Sequence, residues 1–419
     1  MSKTLIYRFD WVIILCYLFL VSFGLINIYS STYTSEIIDL FSLKNLTGKQ
    51  ILFLIISILS GVFVSAIRTR FFQQFSYLIY IVSILSLIGL FVFGEKINGA
   101  TSWYVFSGGS FQPSEFAKIA CAFMISKYLS EFDTDIKKTK SLFIGLLIIS
   151  LPAFLIAFQP DPGSAIIFCS LFLVFFREGL SFSYLIFIIS SLILFLITLL
   201  VPTVFIIYSI ILISFIFIYF SKKTNSKIKI FSILSLALTS IIFVLSVNFI
   251  FNSLFEQRHR DRFNIILGVI EDNKGLGYNI NQSKIAIGSG GLAGKGFLQG
   301  TQTKGNFVPE QQTDYIFSTV GEEWGFIGSF FLIIVYVILI LRMLNQAEKQ
   351  TNVFRRTFIY SISSLFFLHF VINIGMSLGL LPTIGIPLPF ISAGGSSLLS
   401  FSLMIFIYLN FDANRLNEW

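Results

Sequence analysis

Charge is what this chain has least of: Asp, Glu, Lys and Arg make up only 12% of its 419 residues, against 55% hydrophobic residues. A soluble globule of that length carries about twice this share of charge, so water is not the main solvent of this protein. Cysteine is scarce too. Cys16, Cys121 and Cys169 each fall inside an apolar segment, which argues against an extracytoplasmic disulfide framework or a zinc site and for packing roles. Of the two histidines, His259 reads as a loop residue and His369 as a core residue, and neither joins a Cys or carboxylate cluster at zinc spacing. No repeat of fixed period and no low-complexity segment is present.

What the chain has is long apolar runs and a mean hydropathy of +0.86. A spanning helix needs about 20 apolar residues to cross a hydrocarbon core of roughly 30 Å. Twelve candidates satisfy this reading, near residues 11–29, 51–67, 75–93, 115–128, 142–158, 163–176, 184–200, 203–220, 228–251, 326–341, 357–375 and 397–409. The expected fold class is all-α, a polytopic transmembrane helical bundle of about 12 spans forming one membrane domain over 1–419. The first span follows Lys3 and Arg8 as a signal peptide would, but it lacks a small-x-small cleavage site and reads as a retained helix.

Most Lys and Arg, from Lys3 and Arg8 through Arg68, Arg70, Arg355 and Arg356 to Arg415, lie on one side if the N-terminus is cytoplasmic. Both termini are then cytoplasmic, and a polar loop over 253–325 faces outward. That loop holds Arg258, Arg260, Arg262, Lys274, Lys284, Lys295 and Lys304, and long loops obey the charge rule weakly. The net charge of +8 is thus explained by anchoring beside membrane spans and not by nucleic acid.

Proline and glycine break the apolar pattern at three places. Gln112-Pro113-Ser114-Glu115 opens one helix, Gln159-Pro160-Asp161-Pro162-Gly163 separates two, and 381–397, from Leu381-Pro382 to Ser396-Ser397, reads as a re-entrant loop on the outer side. Polar backbone at membrane depth is tolerated only where it lines protein or a cavity, so such breaks point to a site.

Glu115 and Lys118 are three apart on a helix and read as a structural ion pair or as the lining of a polar cavity. Asp161, between two prolines, reads as a cap. Gln257-Arg258-His259-Arg260-Asp261-Arg262 is either a solvated loop meeting headgroups or a recognition site for a phosphorylated lipid. The run 288–296 resembles a phosphate loop only superficially: Ser289 stands where Gly is required and Gly296 where Ser or Thr is required. No nucleotide is expected; the run reads as flexible or close-packed backbone. Pro309-Glu310-Gln311-Gln312-Thr313-Asp314 ends the loop just before an apolar run, with Glu322 and Glu323 following. A carboxylate here is either a helix cap or, with its pKa raised by desolvation, a general base.

Together, 98–103 (Asn-Gly-Ala-Thr-Ser-Trp), 112–118, 159–164, 277–291, 309–317 and 389–396 resemble the SEDS family (shape, elongation, division and sporulation), in the family's order over nearly the whole chain. Gly294-Lys295-Gly296-Phe297-Leu298 with Gly300-Thr301-Gln302 is more similar to the RodA branch than to FtsW. The resemblance implies a peptidoglycan glycosyltransferase of the cytoplasmic membrane that polymerises lipid II on the outer face, for cell elongation and rod shape. It implies a class B penicillin-binding protein as partner, with other elongation-complex membrane proteins, and undecaprenyl-pyrophosphate-linked glycan as the growing strand.

By family pattern Asp314 is the catalytic carboxylate, Trp103, Glu115 and Lys118 match functionally important positions, and Asp161 matches a structural one. Arg258, Arg260, Lys295 and Glu310 complete the expected substrate-binding set, and Pro389, Gly394 and Gly395 the structural set. Arg258, Arg260 or a divalent cation, Mg or Mn, would stabilise the pyrophosphate leaving group. The chain departs from the family in two ways. Gln312 stands where the family has His, and residues 181–251 hold three apolar segments where the family has one, which preserves the topology. The rival readings are a lipid-linked precursor flippase, for which broken helices are equally natural, and a scaffold that only recruits the transpeptidase. The polar residues concentrate on one face, as a polymerase requires.

Overall fold

The computed structural model describes residues 9–33, 42, 45–97, 99–106, 109–223, 230–254, 257–266 and 276–415. In chain order the helices are α1 (Trp11–Thr32), α2 (Leu46–Ser65), α3 (Thr69–Phe93), α4 (Pro113–Leu129), α5 (Thr139–Ala157), α6 (Pro162–Ile167), α7 (Phe172–Arg177) and α8 (Ser183–Leu200). They continue with α9 (Thr203–Lys223), α10 (Ile230–Phe249), α11 (Gln257–Ile266), α12 (Leu276–Ser289), α13 (Thr301–Lys304), α14 (Ile316–Ala347), α15 (Val353–Ser377) and α16 (Gly395–Ala413). The chain is a multi-pass helical membrane protein.

Among the described residues ten helices are long and apolar enough to cross a membrane, two fewer than the sequence suggested. The two that fall short are the expected spans at 115–128 and 163–176. The first is α4, of 17 residues, which starts at Pro113 and is buried along most of its length. The second is split into α6 and α7 by a 3₁₀ segment at Phe168–Leu171. Pro113 and Pro162 occupy first-turn positions, where a missing N–H costs nothing and chain entry is fixed.

A small sheet accompanies the helices. Strands β1 (Glu95–Ile97), β2 (Ala100–Phe106) and β3 (Gly109–Phe111) run antiparallel in the order β1-β2-β3, with Glu95 opposite Trp103 and Tyr104 opposite Phe111. The all-α reading did not foresee it, although Asn98-Gly99 between alternating residues is a strong hairpin signal.

The structure divides into two compact units. Residues 181–277 form one and contain α8, α9 and α10, whose apolar side chains are mostly exposed, as suits a lipid-facing surface. The other comprises residues 1–180 and 278–419. At its centre are α15 and α16, which are buried along nearly all of their length. Without a hydrophobic drive between helices in lipid, close packing of small residues replaces it. Ser396, Ser400 and Ser402 of α16 are buried, and a Cβ on Gly61 of α2 would lie 2.1 Å from the Phe406 ring. Phe123 of α4 stacks on Phe72, Phe354 and Phe358, which joins α3, α4 and α15.

Candidate functional site

The segment before α14 is a tight turn. The amides of Thr313 and Tyr315 both donate to the Glu310 carbonyl, at 3.1 and 3.2 Å, with Glu310 itself in the left-handed region at φ 53. This turn is sewn to the 381–396 segment. Ala393 N donates to Gln312 O (2.8 Å), Ser392 Oγ to Thr313 O (2.5 Å), and Asn373 Nδ2 to both Asp314 O (2.9 Å) and Ile386 O (2.7 Å). Tyr315 and Thr383 share a hydroxyl hydrogen bond of 2.6 Å.

Two glycines allow the third broken element to join. Gly385, at φ 73, lies under the Asp314 carboxylate, and a Cβ there would be 3.4 Å from Oδ2. A Cβ on Gly163 would come within 2.2 Å of Ile384 O, so the start of α6 presses on the same loop. Asp161 caps that helix by accepting from Ser164 N at 3.0 Å, and its other oxygen accepts from Gln112 Nε2 at 3.5 Å. Gln112 N in turn donates to Ser396 Oγ at 3.2 Å. All three Pro/Gly breaks therefore meet around one carboxylate.

Asp314 is half-buried, and among the described residues nothing donates a hydrogen bond to its carboxylate. Burial, then the negative charges of Glu310 and Asp161, push its pKa up from 3.8 to about 7. A carboxylate so poised can accept a proton near neutral pH. Glu310 is exposed, and its side chain accepts from Thr313 Oγ1 at 3.2 Å.

Beneath the loop runs a buried polar string. Glu115 pairs with Lys118 at 2.7 Å and accepts from Ser400 Oγ at 3.2 Å. Lys118 Nζ lies 3.0 Å from His369 Nε2, and His369 Nδ1 lies 3.1 Å from Pro387 O. A carbonyl only accepts, which assigns the ring proton to Nδ1 and makes Nε2 the acceptor for Lys118. The ion pair thus reaches the re-entrant loop through His369, a link with no signal in the sequence. Asn373 had no signal there either, and Thr383 and Gly385 were marked only as members of the 381–397 break.

The remaining expected site residues have other partners. Trp103 is half-buried on β2. Lys295 is paired with Glu322 at 2.8 Å, and Glu322 also accepts from Gln302 N (2.9 Å), Thr303 N (2.8 Å) and Thr303 Oγ1 (2.6 Å). Glu322 is thereby a fully engaged structural carboxylate and not a free base. The glycine-rich run is close-packed at two points: a Cβ on Gly290 or Gly294 would lie 2.0 or 2.1 Å from the carbonyls of Gly321 or Glu323, whereas one on Gly288 or Gly291 would meet nothing within 4 Å. Arg260 belongs to the other compact unit, where it donates to Asn252 O (3.0 Å) and Gln257 Oε1 (2.7 Å). The side chain of Arg258 lies outside the described residues. Pro389 O accepts from Tyr336 OH, Gly394 N donates to Gln50 Oε1 at 3.0 Å, and a Cβ on Gly395 would meet the Phe53 ring at 2.4 Å. Among the described residues no three His, Cys, Asp or Glu side chains form a metal-binding group.

Fold and site define a class: a polytopic membrane protein whose broken helices meet around a carboxylate that has no donor among the described residues. The chain belongs to the Cell cycle protein family of FtsW, RodA and SpoVE, whose model matches residues 10–208 and 203–417. It is 32% identical over 339 residues to the peptidoglycan glycosyltransferase MrdB of Escherichia coli K12, covering 81% of this chain and 78% of that one. It is 31% identical over 431 residues to the peptidoglycan glycosyltransferase RodA of Treponema pallidum, covering 97% and 98%. In fold it is similar to a chain of a peptidoglycan synthase complex, with a TM-score of 0.73, 23% identity and coverage of 98% and 99%. It is also similar in fold to the rod shape determining protein RodA of Thermus thermophilus, with a TM-score of 0.63, 20% identity and 98% of each chain covered.

Proposed function

We propose that this protein is a peptidoglycan glycosyltransferase, a hexosyltransferase that joins lipid II units into glycan strands at the outer face of the bacterial cytoplasmic membrane. Relatives named for that activity support it, over 97% of the chain in the case of the Treponema RodA. The observation that carries the mechanism is the position of Asp314, where the broken segments meet, with no hydrogen-bond donor to its carboxylate among the described residues; burial and the charges of Glu310 and Asp161 push its pKa up to about 7. Asp314 accepts the proton of the acceptor sugar's 4-hydroxyl as that oxygen attacks the anomeric carbon of the donor strand, with inversion and expulsion of undecaprenyl pyrophosphate. General-base assistance of this kind is worth about 10²–10⁴ in rate.

The hydrogen bonds of Asn373, Ser392 and Ala393 hold the Asp314 turn rigid, so positioning is supplied before substrate arrives. Asp161 or Glu310, with pyrophosphate oxygens, suits a divalent cation of the magnesium type, which takes one or two carboxylates and fills its shell with phosphate and water. Such a cation would supply charge to the leaving group. The positive-inside pattern supports cytoplasmic termini and an outward-facing Asp314. A class B penicillin-binding protein is the partner that the family resemblance implies.

The test is polymerisation of purified lipid II by the solubilised protein, with and without its class B partner, comparing wild type with Asp314→Ala. Glycan strands from wild type alone are the expected result. No strands under any condition, with both proteins folded, would move the assignment to transport or scaffolding.

A further inference from the structure

Glu115 and Lys118 are 2% and 0% exposed, so in this structure neither reaches a substrate except through another group. The group within reach is His369. The Lys118 ammonium has three protons, and the structure gives it three neighbours: Glu115 Oε1 at 2.7 Å, His369 Nε2 at 3.0 Å and the face of Phe401, whose ring centroid is 5.1 Å away. His369 lies perpendicular to the same ring, centroids 4.9 Å apart, and Ser400 beside it donates to Glu115. Side chains of α4 and α16 thus fix one edge of the imidazole. The ring cannot turn away without leaving a buried ammonium short of an acceptor.

On its other edge the imidazole holds the re-entrant loop. Residues 382–388 form neither helix nor strand, and Pro382, Pro387 and Pro389 have no N–H to give. Such a stretch takes its shape from donors outside it. Among the described residues, Ile386 O accepts from Asn373 Nδ2 (2.7 Å) and Pro387 O from His369 Nδ1 (3.1 Å), so two side chains one turn apart on α15 grip consecutive carbonyls. Asn373 also donates to Asp314 O at 2.9 Å, and Gly385, which precedes Ile386, lies under the Asp314 carboxylate. A shift at Pro387 is therefore felt within two residues at the floor of the site.

We propose that His369 is a positioning residue for the reaction at Asp314: with its proton on Nδ1 and Lys118 holding Nε2 as acceptor, it fixes Pro387 and with it the loop on which Asp314 rests. Glu115 and Lys118 act on the reaction through it. The inference rests on the reading of Asp314 as general base, and it adds a residue that touches neither substrate nor the reacting atoms.

The experiment compares lipid II polymerisation by the full chain, with its class B partner, for wild type, His369→Leu and His369→Gln, with rates expressed per folded molecule. Leucine fills the space without hydrogen bonds, whereas glutamine offers an amide oxygen to Lys118 and an amide N–H to Pro387. His369→Leu is expected to lower kcat by about 10- to 100-fold with KM unchanged, since a misplacement of roughly 1 Å can cost about 10² in rate, and His369→Gln to recover most of that loss. A residue that only supports the fold would change the folded fraction and leave kcat of the folded protein alone. The chain holds two histidines, His259 and His369. Nitrogen-15 NMR of histidine-labelled wild type in detergent, with His369 assigned by the loss of its signals in His369→Gln, therefore reads the tautomer even where the leucine variant does not fold; the proton is expected on Nδ1. Absence of strands from wild type would overturn the functional reading itself. With wild type active, the inference alone is overturned by a wild-type kcat in His369→Leu, by a loss in His369→Gln as large as in His369→Leu, or by a proton on Nε2.

Discussion

Two aspartates stand immediately before long helices of this protein, and their surroundings drive them in opposite directions. Asp10 caps α1 by accepting from Val12 N at 3.1 Å, and it also accepts from Arg342 Nε (2.7 Å), Gln346 Nε2 (3.1 Å) and Tyr408 OH (3.2 Å). Burial alone would raise its pKa; the hydrogen bonds of Arg342 and Gln346 and the charge of Arg342 outweigh it and hold Asp10 below its usual 3.8. Asp314 precedes α14 with no such donors and faces Glu310 and Asp161 instead, so burial prevails and it rises to about 7. Burial sets the stakes, and the partners decide the sign. One aspartate fastens helices; the other is free to take a proton.

The sharpest way to break this contrast is Asp314→Asn, expected to lower polymerisation by about 10²–10⁴-fold in a lipid II assay while the protein melts no lower than wild type at neutral pH. The second half follows from linkage. A raised pKa stabilises the fold fully below 3.8, and that contribution is lost as pH rises through about 7, so at neutral pH the charge opposes folding. Asp10 has the opposite sign: its contribution is present above 3.8 and is lost as pH falls below it. Asp10→Asn is therefore expected to cost about 2 kcal/mol at neutral pH, less than a fully buried pair because Arg342 is partly exposed, and to leave activity per folded molecule near wild type. Thermal melts over a pH series check both signs.

A smaller effect tests whether the glycine-rich run is structural. Gly325 kinks α14 at φ 64, and a Cβ there would lie 2.2 Å from Gly294 N, so Gly325→Ala is expected to destabilise by about 1–3 kcal/mol. Denaturation of the solubilised protein measures it. The smallest effect sharpens the comparison: Glu310→Gln removes one negative neighbour and is expected to lower the pH midpoint of polymerisation by a few tenths of a unit.

The helical membrane architecture was legible because an apolar run of spanning length finds its solvent in a bilayer and almost nowhere else. The Pro and Gly breaks marked the site because each exposes backbone that must be satisfied somewhere. Three local facts were not legible. The span count was overestimated because α4 and the α6–α7 run are apolar yet short, packed within protein and bounded by Pro113 and Pro162. The three-stranded sheet was passed over although Asn98-Gly99 announced a hairpin. The partners of individual charges were invisible, since Lys295 meets Glu322 from 27 residues away and Lys118 meets His369 from 251 away. Spacing along the chain cannot distinguish a carboxylate such as Glu322, ringed by donors, from Asp314, which has none among the described residues.

The most direct measurement of the central claim is the pH–rate profile of lipid II polymerisation, for wild type and for the residual activity of Asp314→Asn. The account expects the wild-type rate to rise with pH through a midpoint near 7 and level off above it, with that inflection absent in the variant. A wild-type midpoint near the ordinary carboxylate value, or an inflection near 7 that survives in Asp314→Asn, would contradict it.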